Sequence, residues 1–485
     1  MLFNSYIFVF LFLPITLMGF YGLNYIKQYN AAKIFLLIMS LWFYGYFNKR
    51  YLLILVCSVI ANYVLSKLMD RCKIERVRQV VLLFGIFLNV AVIFYFKYFD
   101  FFIDNVNIVF KASLQHKNIL LPLGISFFTF QQISYLVDSY RGETKDYSFG
   151  EYALFVTFFP QLIAGPIVLH KEMIPQFRDS KNACFHAENF AKGMYIFSIG
   201  MFKKVIIADT FGVAVSFGFG NVDTLSAIEA VIVSLAYTFQ LYFDFSGYCD
   251  MAIGIGNFFN IKLPQNFNSP YRATSIVDFW DRWHMSLTRF LRTYIYFPLG
   301  GNRKGKIRTY INILVVYLVS GIWHGANWTF IIWGLLHGVF SCLNRVFQKS
   351  WSKLHEVTRW FLTFVTVNFL WVFFRSESIS KAILFIKKMF DFRNIAIRDE
   401  LYNCFMLPEI TAFSSLPILR FAKGYIMYYA LWVFILGAFF IVLNLPNSKE
   451  VEFRPTIGKS IATVVLLVWS VVSFTGISTF LYFNF

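Results

Sequence analysis

The chain has 485 residues, of which 58% are hydrophobic, 21% aromatic and only 14% charged, with a formal net charge of +18. A water-soluble domain carries about 25% charged residues. The composition therefore excludes an ordinary soluble enzyme and reads as an all-α polytopic membrane protein, because apolar spans in lipid must satisfy their backbone within a helix. On a soluble chain this charge would point to nucleic acid. Here the basic residues fall in short loops between apolar runs, so membrane lipids are the expected partner and nucleic acid is not.

The opening Met1-Leu-Phe-Asn-Ser-Tyr-Ile lacks a basic stretch and a small-residue cleavage site, and reads as a retained first span. Apolar spans are expected at about 3–25, 33–47, 51–66, 79–98, 118–137, 150–169, 190–210, 224–248, 309–347, 357–374, 420–444 and 458–483. That makes roughly eleven crossings at about 20 residues each. The loop from Lys67 to Arg78 is strongly basic, hence cytoplasmic. Counting back three spans puts the N-terminus outside, which leaves Asn48-Lys49-Arg50 on the wrong side. The six cysteines have no paired spacing and read as free thiols, and no metal site is implied.

Several polar clusters fall at membrane depth. One is Phe130-Gln-Gln-Ile-Ser-Tyr-Leu-Val-Asp138-Ser-Tyr-Arg141. Another surrounds Gln161, where Pro160, Gly165 and Pro166 open a helix and free its carbonyls. A third, Gln240 to Asp250, carries Asp244 and Ser246. Each alone is compatible with packing; together they point to a polar lumen, as in an enzyme tunnel or a transporter. His170, just after a span end, reads as interfacial, and His116, His186 and His355 sit in polar loops.

The stretch from Asn257 to Arg308 is rich in arginine and lysine and is expected on the cytoplasmic side. Within it, Ser275 followed by Asp278 is an N-cap signature. On a helical wheel Phe279, Trp280, Trp283, Leu287, Phe290, Leu291 and Tyr294 share an arc of about 120°. The spacing predicts one amphipathic helix over 278–294 at the membrane interface, with His284 at the margin of its apolar face.

The centre of the sequence is Ser320-Gly-Ile-Trp-His324-Gly-Ala-Asn-Trp328. A histidine at membrane depth is costly and turns towards protein or a water-filled cavity. Small neighbours at Gly321, Gly325 and Ala326 let a backbone or a substrate come close. Two readings stand open: His324 as the base of an acyl transfer, or a packing histidine bonded to a nearby carbonyl. In the first, Asn327 or backbone N–H groups near Gly325 supply donors for an oxyanion. The surrounding run 309–347 is long enough for two helices meeting near His324. His337 lies 13 residues further on, about 20 Å along a continuous helix. The two rings therefore meet only if the chain breaks between them; otherwise His337 reads as an interhelical hydrogen bond. After Phe374 a second amphipathic helix is expected, then a polar connection with Pro408 and Pro417 and two closing spans.

Asp278-Phe-Trp-Asp-Arg-Trp-His284-Met-Ser-Leu, Tyr296-Phe-Pro-Leu-Gly-Gly-Asn-Arg303 and Ser320-Gly-Ile-Trp-His324-Gly resemble the membrane-bound O-acyltransferase superfamily. Gly124-Ile-Ser-Phe-Phe-Thr-Phe-Gln131, Phe158-Phe-Pro-Gln-Leu-Ile-Ala-Gly-Pro166 and Phe243-Asp-Phe-Ser-Gly-Tyr are similar to its alginate and peptidoglycan O-acetyltransferase branch. The resemblance runs from about residue 120 to 375. It implies one integral acyltransferase domain over 1–485, with a bundle of about eleven transmembrane helices plus short interfacial ones. It further implies a multi-pass enzyme of the bacterial cytoplasmic (inner) membrane. Such an enzyme, with no bound cofactor, takes an acetyl group from acetyl-CoA and passes it outward to a polysaccharide, through an extracytoplasmic acyltransferase partner. His324 and His284 match the family's motif histidines and are the expected catalytic pair. Asn327, Trp323, Asp244, Ser246 and Gln161 are tunnel candidates, and Arg272, Arg282 and Arg303 are candidate contacts for donor phosphates. The alternatives are D-alanyl transfer from a carrier protein to teichoic acid, against which the Pro298-Leu-Gly-Gly-Asn-Arg-Lys-Gly loop speaks, and a transporter without covalent chemistry.

Overall fold

The computed structural model describes residues 1–414, 423–448, 450, 453–474 and 480–481. The span of 1–485 expected as one domain contains two compact units, each gathered from separated stretches of chain. The first takes 1–201, 248–265 and 453–485; the second takes 202–247 and 266–452.

In the first unit, α1 (Leu13–Tyr25) pairs with α2 (Tyr29–Gly45). α3 (Lys49–Arg71) starts where the Asn48 side chain accepts the Arg50 N–H at 2.8 Å. α4 (Glu75–Ile93) continues through a wider turn into α5 (Phe99–Phe110). Only 17% of the apolar window of Glu75–Phe110 is buried within the protein, so most of its side chains are left for lipid. α6 (Ile125–Tyr140) is the opposite case: Gln131, Gln132 and Asp138 are all buried. Asn62 bonds both Gln132 and Asn89, a polar seam of the kind that fixes helices where apolar contact alone does not choose a partner.

The expected crossing at 150–169 is instead two short helices, α7 (Phe149–Thr157) and α8 (Phe159–Leu162), because Pro160 lacks the N–H that would continue the ladder. The chain then turns inward. His170, which opens α9 (His170–Arg178), is 1% exposed rather than interfacial. Its Nε2 lies 3.1 Å from Asp138 and its Nδ1 3.2 Å from the Tyr147 hydroxyl. Glu143 also offers an oxygen within 4.8 Å of the Asp138 and His170 ligand atoms, but that pair is already tied into its own hydrogen bonds. α10 (Ala187–Phe202) ends this stretch.

The second unit begins with α11 (Asp209–Gly220) and α12 (Ala227–Phe258), which belongs to it as far as Gly247. α13 (Ile276–Arg282) and α14 (Met285–Leu291) follow. They replace the single amphipathic helix expected over 278–294, which is broken at Trp283–His284. Its apolar face does not lie in lipid: Phe279, Trp280, Trp283, Leu287, Phe290 and Leu291 are all buried in protein. Next come α15 (Lys306–His324) and α16 (Trp328–Val346), the two helices expected to meet near His324, and then α17 (Gln348–Trp351), α18 (Glu356–Arg375) and α19 (Ile379–Met389). α20 (Asp399–Asn403), α21 (Pro408–Ser414) and α22 (Lys423–Asn444) close the unit; Pro417 lies outside the described residues. α23 (Ile457–Val472) returns to the first unit, and the end of the expected span 458–483 is not described.

Among the described residues eight helices are long and apolar enough to cross a membrane. The difference from about eleven comes from runs whose helices are short or broken, such as the 16-residue α6 and the α7–α8 pair. What positions the site is the α15–α16 hairpin. A Cβ added to Gly321 would lie 2.5 Å from the Phe330 carbonyl oxygen, and one on Gly334 2.4 Å from that of Tyr317. The two backbones touch there, which only glycine allows.

Candidate active site

The second unit gathers His284, His324 and His337 into one aromatic cluster with Trp280, Trp323, Trp333, Trp371 and Phe374. α13 starts at the expected cap, the Ser275 hydroxyl accepting the Asp278 N–H at 3.0 Å. His284 then takes φ +45° and ψ +53°. That left-handed geometry costs a residue with a Cβ roughly 1–2 kcal/mol. Asn266 holds the turn. Its carbonyl oxygen accepts the Met285 N–H at 3.0 Å, and its Oδ1 accepts the Ser286 N–H at 3.1 Å. The same Oδ1 lies 3.3 Å from His284 Nδ1. An oxygen already receiving an N–H is an acceptor, so Nδ1 carries the His284 proton and Nε2 is the basic nitrogen. Burial, and after it the nearby His324, hold this imidazole well below its usual pKa, so the ring is neutral at pH 7.

His324 is the last residue of α15 and is 3% exposed. Its Nδ1–H donates to the Ser320 carbonyl oxygen at 2.6 Å, one turn back in the same helix. Both readings of this residue meet here. The bond is a packing contact, and it also fixes the tautomer, since a carbonyl can only accept. Nε2 is then the nitrogen that carries no proton. The ring packs against Trp323 at 4.8 Å, Trp333 at 4.9 Å and Phe374 at 5.4 Å. Trp323 also meets His284 at 6.0 Å, so the expected pair shares one indole between them.

The chain does break between His324 and His337, at Gly325–Asn327, and the hairpin folds the second ring back onto the first. Trp333 lies between them, 4.9 Å from His324 and 5.0 Å from His337. The Trp280 indole N–H donates to His337 Nδ1 at 3.1 Å, the interhelical bond expected of this residue. Beside the cluster a cleft of about 120 Å³ runs from Arg292, Asp281 and Arg345 past Trp280 and Tyr317 to Ser320.

The other residues singled out in the sequence divide between roles. Asp244 pairs with Lys204 at 2.8 Å, both buried. Phe245, next to it, packs on His284 at 4.8 Å. The Ser246 hydroxyl is buried with no hydrogen-bond partner among the described residues. Asn327 caps α16 through its Oδ1 and ties its Nδ2 to the Glu377 carbonyl at 2.9 Å. Gln161 belongs to the first unit, where its Nε2 donates to the Phe155 carbonyl at 2.8 Å. Arg272 donates to the Leu445 carbonyl at 2.7 Å, Arg282 pairs with Asp278 at 2.7 Å, and Arg303 is exposed on a turn. None of these three lines the cleft; Arg292 and Arg345 do. Asn266 and Trp333 had no signal in the local sequence, because each acts on a histidine through folding rather than spacing.

Residues 41–380 match the pattern of MBOAT, the membrane-bound O-acyltransferase family. The chain belongs to that family. This membrane-bound O-acyltransferase is 41% identical to a peptidoglycan O-acetyltransferase of Helicobacter pylori over 100% of this chain and 98% of the relative. It is 39% identical to a "probable alginate O-acetylase AlgI" of Pseudomonas aeruginosa over 81% of this chain and 75% of that protein. A teichoic acid D-alanyltransferase of Bacillus subtilis is 28% identical over 49% of this chain and 62% of its own length. The chain is thus a multi-pass membrane O-acyltransferase, and the alternative of a transporter without covalent chemistry is set aside.

Proposed function

We propose that this enzyme takes an acetyl group from acetyl-CoA on the cytoplasmic side of the inner membrane and transfers it towards a hydroxyl group of an extracytoplasmic polysaccharide. The observation that carries the reading is the fixed tautomer of His324, whose Nε2 stands as a buried base at a helix end. An acceptor oxygen attacks the thioester carbonyl as His324 takes its proton. The tetrahedral intermediate collapses, the carbon–sulfur bond breaks, and the same proton passes to the leaving thiolate. His284, neutral and bound to Asn266, adjoins the shared Trp323 and orients the second side of the pocket.

Sidedness supports the direction of transfer. α15 begins beside Arg303, Lys304, Lys306 and Arg308, and α16 ends near Arg345, Lys349 and Lys353. Those ends are cytoplasmic by the positive-inside rule, and the cleft opens between Arg292 and Arg345 on that side, where a phosphate-bearing donor is attracted. The acetyl group is favoured over D-alanine because the relatives matched along the greater part of the chain are O-acetylating proteins, whereas the D-alanyltransferase matches about half. A separate extracytoplasmic acyltransferase that carries the group onward to alginate-like polymer or peptidoglycan completes the proposal.

Vesicles supplied with labelled acetyl-CoA test it. The parent protein is expected to place label in added peptidoglycan or alginate, or in a partner protein, and His324→Ala to abolish this. Full transfer by the His324→Ala protein would overturn the assignment.

A further inference from the structure

His337 and Trp333 remain unexplained by the base alone. His337 is 0% exposed and Trp333 1% exposed. The Trp280 indole N–H occupies His337 Nδ1 as a donor, so the His337 proton sits on Nε2. That Nε2–H has no acceptor among the described residues, nor has the Trp333 indole N–H, nor has the hydroxyl of Ser320, which is 1% exposed. Buried polar groups nearly always find a partner, and an orphan asks for one. An indole nitrogen can only donate, and the protonated imidazole nitrogen likewise. The missing partner is therefore an acceptor.

The place of these donors says which acceptor. Trp333 touches both His324 and His337. The Ser320 carbonyl holds His324, and its side chain lines the cleft. Trp280, Tyr317 and Ser341, also in the cleft wall, surround His337: Trp280 by its hydrogen bond, Tyr317 by ring stacking at 6.4 Å, and Ser341 one helical turn on. Of the three orphan donors Ser320 lines the cleft itself, and Trp280 and Tyr317 of its wall pack on His337, with Trp333 next to it. Asn327, the side chain expected to serve an oxyanion, is already engaged in the α16 cap and with Glu377.

We propose that His337, Trp333 and Ser320 bind the carbonyl oxygen of the acyl donor and hold it as it becomes an oxyanion. The inference rests on His324 being the base. As the acceptor oxygen bonds to the carbonyl carbon, the carbonyl π pair moves onto its oxygen, and these three donors receive the charge. When that pair returns, the thiolate leaves.

Trp333→Phe is the central variant, since it deletes one N–H and keeps an aromatic ring. Purified protein in vesicles is expected to lose about 10²-fold in kcat. Its KM for acetyl-CoA stays near the parent's, as does its affinity for S-ethyl-CoA, a thioether with no carbonyl. Ser320→Ala, the smallest change, lowers kcat in the same way, and His337→Gln, which keeps an N–H donor, retains more activity than His337→Ala. Trp360→Phe, which deletes an indole N–H bonded to the Tyr271 carbonyl at 2.8 Å, leaves kcat unchanged. Parent-like kcat in both Trp333→Phe and Ser320→Ala would overturn the inference, the donors then serving buried water. So would an equal loss of S-ethyl-CoA binding, which marks a packing role. If His324→Ala is inactive while both variants are normal, only the oxyanion assignment falls; if His324→Ala is active, the base assignment falls first.

Discussion

Gly321→Ala tests whether the α15–α16 contact sets the distance between the His324 and His337 rings. The added methyl carbon would sit 2.5 Å from the Phe330 carbonyl oxygen and 3.3 Å from Gly334 Cα. Ordinary van der Waals contact begins about 0.9 Å further out. The obstacle is backbone, so no side chain can swing away, and the helices must part by most of that distance. Overpacking of this kind costs about 1–3 kcal/mol. A displacement approaching 1 Å at a catalytic group costs on the order of 10²-fold in rate. The expected outcome is a lower unfolding temperature in detergent and a kcat reduced by about that factor. Gly338→Ala, on the facing helix α16, meets the Leu314 Cδ2 at 3.1 Å and the Tyr317 Cβ at 3.2 Å, so side chains take up the strain and the loss is smaller. Gly437→Ala meets nothing within 4 Å and is expected to be neutral or mildly stabilising. If Gly321→Ala keeps both the melting temperature and the rate of the parent, close helix approach does not control the site.

Two further outcomes follow from charge. Lys204 and Asp244 are 2% and 3% exposed and 2.8 Å apart, so Lys204→Met alone takes the cation away from a buried carboxylate, as well as from the part-exposed Asp209 at 2.7 Å, and is expected to cost about 3–5 kcal/mol, while Lys204→Met with Asp244→Leu recovers part of it; equal melting temperatures for the single and double variants would refute this. The Arg178 guanidinium holds the Glu151 carboxyl down to about 2, aided by hydrogen bonds to Ser148, below an ordinary value of 4.5. A depressed carboxylate stabilises above its unfolded value, so this contribution is whole above about pH 4.5 and fades as pH falls towards 2, and Glu151→Gln should melt lower than the parent at pH 6 with the gap closing in acid.

The candidate histidines were easier to see in the sequence than the turns that hold them. His324 and His284 stood out because a polar ring among apolar residues has few reasons to be there. The hairpin was legible from the length of 309–347 and from the small residues in its middle. The broken helix at His284 was not, because a wheel drawn through 278–294 assumes the regular geometry that Asn266, 18 residues earlier, interrupts. Its aromatic arc was correctly placed but wrongly assigned to lipid, since periodicity says only that a face is covered. The arginines expected to meet the donor show the same limit. Arg272 and Arg282 are absorbed by Leu445 and Asp278, and only folding reveals that Arg292 and Arg345, 53 positions apart, edge one cleft. His170 looked interfacial because the turn that buries it depends on where Pro160 ends a helix.

The left-handed backbone of His284 makes that position a place where two selections diverge. Glycine there would relieve the strain, and asparagine would bear it well; both discard the imidazole. A population screened for heat resistance should drift towards those residues, while one screened for acetylation should return histidine every time. The gap between the two winners is the thermodynamic sacrifice this enzyme makes to keep a ring in that corner.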